Sequence, residues 1–168
     1  MNQIIPRILA FLCALGLVGC CKTYGSTDAL IEKVRQEIPL AEADTIEIRY
    51  AGMTAEDNAV LLWYISGNEY QMHTYFPIEC EISGESEYKF VRSFPIVMRD
   101  RCGDVGILQW RRGYSFCINN PDCKTVRLTD DTGAHVEMIE IDSYPYVFYT
   151  QDLPSEYVFL DDEGNELS

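Results

Sequence analysis

Cations are scarce in this chain: 13 Lys+Arg stand against 27 Asp+Glu, giving a formal net charge of −14 over 168 residues. That balance speaks against nucleic acid, whose phosphates demand cations, and against flat docking on anionic lipid. Histidine is scarcer still, with only His73 and His135. No CxxC occurs, so the usual thiolate spacing of a zinc site is missing, and neither a metal nor a cofactor is expected. No apolar run reaches the roughly 20 residues that a spanning helix needs. The run from Ile8 to Gly19 is 12 residues long. Nor is there a nucleophile elbow, because Gly113-Tyr114-Ser115-Phe116-Cys117 lacks the closing glycine. Internal repeats and a second domain boundary are also lacking.

What is present begins with a layout. Arg7 is followed by the short apolar run and then by polar chain, the order of a secretory signal. Leu17-Val18-Gly19-Cys20 resembles the bacterial lipobox, in which a large apolar residue and two small ones precede the cysteine. The resemblance covers only the first 20 residues and is specific in placement, since Cys20 falls directly at the end of the apolar run. It implies a bacterial lipoprotein: diacylglycerol on the Cys20 thiol, cleavage before it, and acylation of the new amino terminus. Each buried methylene contributes about 0.8 kcal/mol, so two or three chains make a lasting membrane anchor. Cys21 is not the aspartate associated with inner-membrane retention, which points to the outer membrane, with the domain in the periplasm. The expected organisation is a signal over 1–19, a lipidated tether over 20–26 and a single globular domain over 27–168.

An exported domain meets an oxidising compartment, so Cys80, Cys102, Cys117 and Cys123 are read as two disulfides. Four cysteines allow three pairings. The turn formers between Cys117 and Cys123 favour a bridge there, leaving Cys80 with Cys102.

Periodicity then gives the fold class. Leu30, Ile31, Val34 and Ile38 fall on one helical stripe, with Ser26 or Thr27 as cap and Pro39 as stop. Beyond it the pattern becomes short β runs separated by turns. Thr45–Tyr50 alternates, whereas Val60–Ile65 is continuously apolar, as a buried strand would be. Further strands are expected at Tyr70–Phe76, Tyr88–Phe94, Gly106–Arg111, Tyr114–Ile118, Thr125–Thr129, Val136–Ile141, Tyr146–Thr150 and Glu156–Leu160. The expectation is α+β or mainly β: one N-terminal amphipathic helix, then a mostly antiparallel sheet or sandwich stapled by disulfides.

Few residues stand out as chemistry. His73 is the natural acid–base group, and alternation places it with Tyr75 on the more polar face of its strand, exposed or half exposed. Glu79, Glu81, Glu85 and Glu87 read as a solvated hairpin edge. Tyr144, Tyr146 and Phe148 share one face if extended, and such aromatics serve interfaces as well as cores. The functional expectation is a non-catalytic envelope lipoprotein that binds another protein. Its acidity fits a basic partner, as an immunity protein or inhibitor would have. The competing expectation is a small envelope enzyme or ligand binder that uses His73.

Overall fold

The computed structural model describes residues 22–38, 45–66, 73–95, 103–151 and 154–167. The signal segment, the lipobox with Cys20, and Cys21 and Cys102 lie outside the described residues. So do Tyr70–Met72, where the sequence predicts the start of a strand.

Among the described residues, eleven strands and one short α-helix follow in chain order, and the fold is mostly antiparallel β. A five-stranded sheet contains β1 (Thr23–Tyr24), β2 (Ile48–Glu56), β3 (Ala59–Ser66), β4 (Tyr75–Gly84) and β5 (Glu87–Ser93), in the order β1-β5-β4-β3-β2. A three-stranded sheet is ordered β10-β7-β6, from β6 (Val105–Trp110), β7 (Gly113–Ile118) and β10 (Tyr146–Thr150). A third sheet, β11-β8-β9, is built from β8 (Thr125–Thr129), β9 (Val136–Glu140) and β11 (Glu156–Leu160). All pairings are antiparallel.

The side-chain alternation of each strand stacks these sheets into layers. On β3, Val60, Leu62 and Tyr64 turn towards the helix, joining Leu30, Val34 and Ile38 in one core. Ala59, Leu61, Trp63 and Ile65 turn the other way and meet Trp110 and Cys117 of the second sheet. Strand β7 repeats the arrangement one layer on: Phe116 and Ile118 face away from the first sheet and pack on Val126, Leu128 and Phe159 of the third. The order is therefore helix, first sheet, second sheet, third sheet, with a core in each gap. A strand covered on both faces is apolar throughout, which is why β3 shows no alternation of polarity.

The helical segment is shorter than its stripe. A 3-10 turn at Asp28–Leu30 leads into α1 (Ile31–Glu37), and the Ala29 N–H donates to Ser26 Oγ at the start. Before it, Thr23 and Tyr24 pair with Lys89 and Tyr88, and Tyr24 is buried. The expected tether is thus part of the fold from Thr23 onward.

Gly52 sits at the bulge of β2, where a Cβ would stand 2.7 Å from Val147 Cγ2, so β2 and β10 pack closely on each other at this point. Gly113 is needed for a similar reason: a Cβ there would lie 1.7 Å from the Thr150 carbonyl oxygen.

Among the described residues the expected disulfide staples are not formed. Cys80, Cys117 and Cys123 are all free and buried. Cys117 points into the gap between the first and second sheets, and Cys123 into the gap between the second and third. The two thiols therefore lie on opposite sides of the second sheet, and six residues of separation cannot bring them together without reversing a strand. Cys80 packs under the helix in a third location.

Candidate functional site

Two places in this architecture collect polar side chains. The first is the seam between the first and second sheets. At one end, Asp104 just before β6 gathers three partners: Tyr75 O–H donates to its Oδ1 at 2.6 Å, Asn119 Nδ2 donates to its Oδ2 at 2.6 Å, and His73 Nδ1 meets the same oxygen. The His73 side chain is 10% exposed, and its Nε2 is buried with no hydrogen-bond partner among the described residues. His73 as a residue is half-buried, at the inner limit of the expected range, but its imidazole is turned inward. Its strand face is not turned to solvent but covered by the second sheet.

A carboxylate on Nδ1 is how a general base is oriented, and His73 and Asp104 have that relation. The nearby thiol is tuned the wrong way for a nucleophile. Burial, with a further push from the Asp104 charge, drives the Cys117 thiol far above its ordinary range, so it stays protonated. Midway along the seam, the Ser115 hydroxyl accepts from Trp63 Nε1 at 2.8 Å and lies 3.4 Å from Thr54 Oγ1. That bond ties the two sheets together.

The far end of the seam holds buried carboxylates. Glu79 of β4 accepts from Arg92 Nε at 2.7 Å and from Arg111 at 3.3 Å. Glu56 of β2 pairs with Arg111 at 3.8 Å and Arg112 at 3.7 Å, and Tyr149 O–H donates to it at 3.4 Å. Burial, with the Glu56 charge second, raises the Tyr149 pKa. Arg111 and Arg112 form the two-residue loop between Trp110 and Gly113, with Arg111 at φ 52°. A non-glycine residue in that region is strained, and here the paired carboxylates hold it. The strand expected over Gly106–Arg111 thus ends at Trp110, and Arg111 belongs to the turn. Glu79 is a second correction: it is buried in the seam, while only its neighbours after Cys80 form the exposed hairpin.

The second place is the outer layer. From Asp122 to the end the chain has 12 Asp+Glu and only Lys124 and Arg127 as cations, so about −10 of the net −14 lies in this segment. Among the described residues, every salt bridge lies before it in the chain. Some of its acids serve their own loops. Asp130 Oδ1 accepts from Thr132 and Ala134, which lowers its pKa, and Asp161 does the same for Asn165 and Glu163. Others, including Glu137 and Glu140 of β9, point to solvent. Val136 and Met138 lie exposed on the same strand, at 49% and 51%. Beside it runs a groove of about 570 Å³ whose walls include Asp130, His135, Glu137 and Tyr149.

The aromatic face seen in the sequence is placed against the core. Phe148 stacks on Phe116 with ring centroids 4.7 Å apart, Tyr146 packs beside it, and Tyr144 O–H donates to the Cys123 carbonyl at 2.6 Å. All three are half-buried. His135 sits in the groove, far along the chain from His73. No signal in the sequence linked Asp104, Asn119 and the buried glutamates to any site. Each acquires its environment only from strands many residues away.

Comparison with protein-family models, with curated proteins and with solved structures gives no match.

Proposed function

We propose that this chain is a lipid-anchored bacterial envelope protein whose β domain binds a basic protein partner without catalysing a reaction. Cys20 carries the lipid in this reading, and the domain hangs close to the membrane because the fold begins at Thr23. The observation that carries the binding role is the segregation of charge. The buried acids Glu56 and Glu79 and several others of the first two layers are paired with arginine or lysine, whereas no acid of the last segment has an ion-pair partner among the described residues. Unmatched surface charge of one sign speeds and selects encounter with the opposite sign. An immunity protein or inhibitor against a basic toxin or wall-degrading enzyme is the form that best fits such a surface.

Two measurements test it. Labelled palmitate should enter the wild-type chain in bacterial cells and not the Cys20→Ser variant; labelling of both would remove the anchor. Capture from envelope and secreted fractions should retain a basic protein at low salt. Replacement of Glu137, Glu140 and Glu156 by lysine should release it, and retention by that variant would reject the acidic layer as the binding surface. A second reading, ligand binding at His73, has in its favour the buried Nε2, unpartnered among the described residues. His73→Gln should then abolish the heat of binding of a small ligand while leaving the capture unchanged.

A further inference from the structure

The free edge of β9 combines three properties. Among the described residues its outer backbone groups are open. The Asp130 N–H donates to the His135 carbonyl and the Ile141 N–H to that of Lys124, so the odd positions bond to β8. Val136, Met138 and Glu140 accordingly turn their N–H and C=O groups away from the sheet. The opposite edge of the same sheet is taken: Leu160 bridges to Glu166, and the Leu167 N–H donates to the Phe159 carbonyl.

The edge is also guarded by acid alone. Proteins protect such strands with charged side chains, proline or a bulge. β9 has no lysine, proline or bulge, pairing with β8 in unbroken register from Val136 to Glu140, and its Glu137 and Glu140 discourage acidic or apolar strands but not a cationic one. Finally, it is chemically two-faced. Glu137, opposite Leu128, stands on the inner face at the wall of the groove, while Val136, Met138 and Glu140 occupy the outer face.

We propose that this edge accepts an extended, basic segment of the partner as an added antiparallel strand. The inference rests on the acidic binding role proposed above and names its mode. Charge complementarity selects the occupant: cations of the added strand fall opposite Glu137, over the groove, and opposite Glu140, and apolar residues fall opposite Val136 and Met138. Cross-strand neighbours in such a pair lie about 4.5–5.5 Å apart at Cβ, close enough for both kinds of contact. A second copy of this chain is disfavoured as occupant, because two such acidic layers repel.

The test uses the full lipidated chain in detergent and a capped peptide with the core Lys-Thr-Val-Lys-Val. The peptide should bind, slow amide exchange at Val136, Met138 and Glu140, and lose at least tenfold in affinity when its central valine is N-methylated. Met138→Pro removes only an outward N–H, which an edge strand tolerates. It should keep the circular dichroism spectrum and lose the peptide. Should that variant unfold, Met138→Lys replaces it, with the same loss expected. Absence of peptide binding, or equal binding of the N-methylated peptide, overturns strand addition. If the basic protein is still captured by Met138→Pro, the edge is rejected while the binding role stands. Peptide pairing on the edge without capture of any basic protein would mean the opposite: strand addition holds and the role in binding a basic protein falls.

Discussion

The seam between the first two sheets and the outer face of the third use the same residue types to opposite ends. In the seam, Glu56, Glu79 and Asp104 are buried or nearly so, and each is met by arginine, histidine, tyrosine or asparagine. On the outer layer, glutamates outnumber cations and point to water. A buried carboxylate without partners would cost several kcal/mol, so the seam pairs are a condition of folding two sheets face to face. The outer acids are under no such condition. Their number is therefore free to answer to something outside the domain, and there the functional reading belongs.

The contrast is most open to attack at Glu79. Glu79→Gln keeps the shape but removes the charge that holds Arg92 and Arg111. Arg92 is largely exposed and is rehydrated at little cost, whereas Arg111 is held in a strained loop. A loss of about 1.5–3 kcal/mol is expected in urea unfolding, the range for hydrogen bonds to charged groups. A change below about 0.5 kcal/mol would place Glu79 with the outer acids instead.

A second and smaller effect concerns a buried group that ionises late. Burial, with the Glu79 charge second, pushes the Cys80 thiol up to about 12 from an ordinary value of 9.0. The folded state thus holds this proton more tightly than the unfolded chain. Its contribution is fully present below pH 9 and is lost as pH rises through 12. The linked loss between pH 9 and 10 is about 1 kcal/mol. Cys80→Ala should flatten that part of the stability profile, whatever it costs at neutral pH. An unchanged slope would mean that the thiol is not shielded.

How much of this was legible in the sequence depends on range. The continuous apolar run of β3, the single helical stripe and the later strands announce themselves through neighbours in the chain, and all lie close to their expected positions. Layering was not legible, since the alternation on β7 is compatible with any sheet on either side. Glu79 looked like its exposed neighbours because Arg111, 32 residues on, is what makes its burial tolerable. The inward turn of the His73 ring was hidden for the same reason: Asp104 is 31 residues away and precedes a strand of another sheet. The disulfide expectation came from compartment chemistry. It failed on direction, because no spacing rule tells that Cys117 and Cys123 face opposite sides of a sheet.

The weakest effect is expected on the outer layer itself, where it probes the contrast most finely. Replacing Glu137, Glu140 and Glu156 together by glutamine removes three exposed charges from a segment already dense in them. Surface substitutions of this kind change stability by about 0.5 kcal/mol or less. The sign is set by repulsion: at low ionic strength the variant should be slightly more stable than the wild type. Salt screens like charges over a Debye length of about 10 Å at 0.1 M, so the wild type should gain stability on adding salt and the variant should gain less. Thermal unfolding of both proteins at low and high salt measures both responses. Equal salt responses would mean that the outer acids do not feel one another, and crowding would then not mark this layer as a surface kept for a cationic partner. A reduced response, with stability intact, leaves the outer charge as a feature that folding does not require and that binding can use.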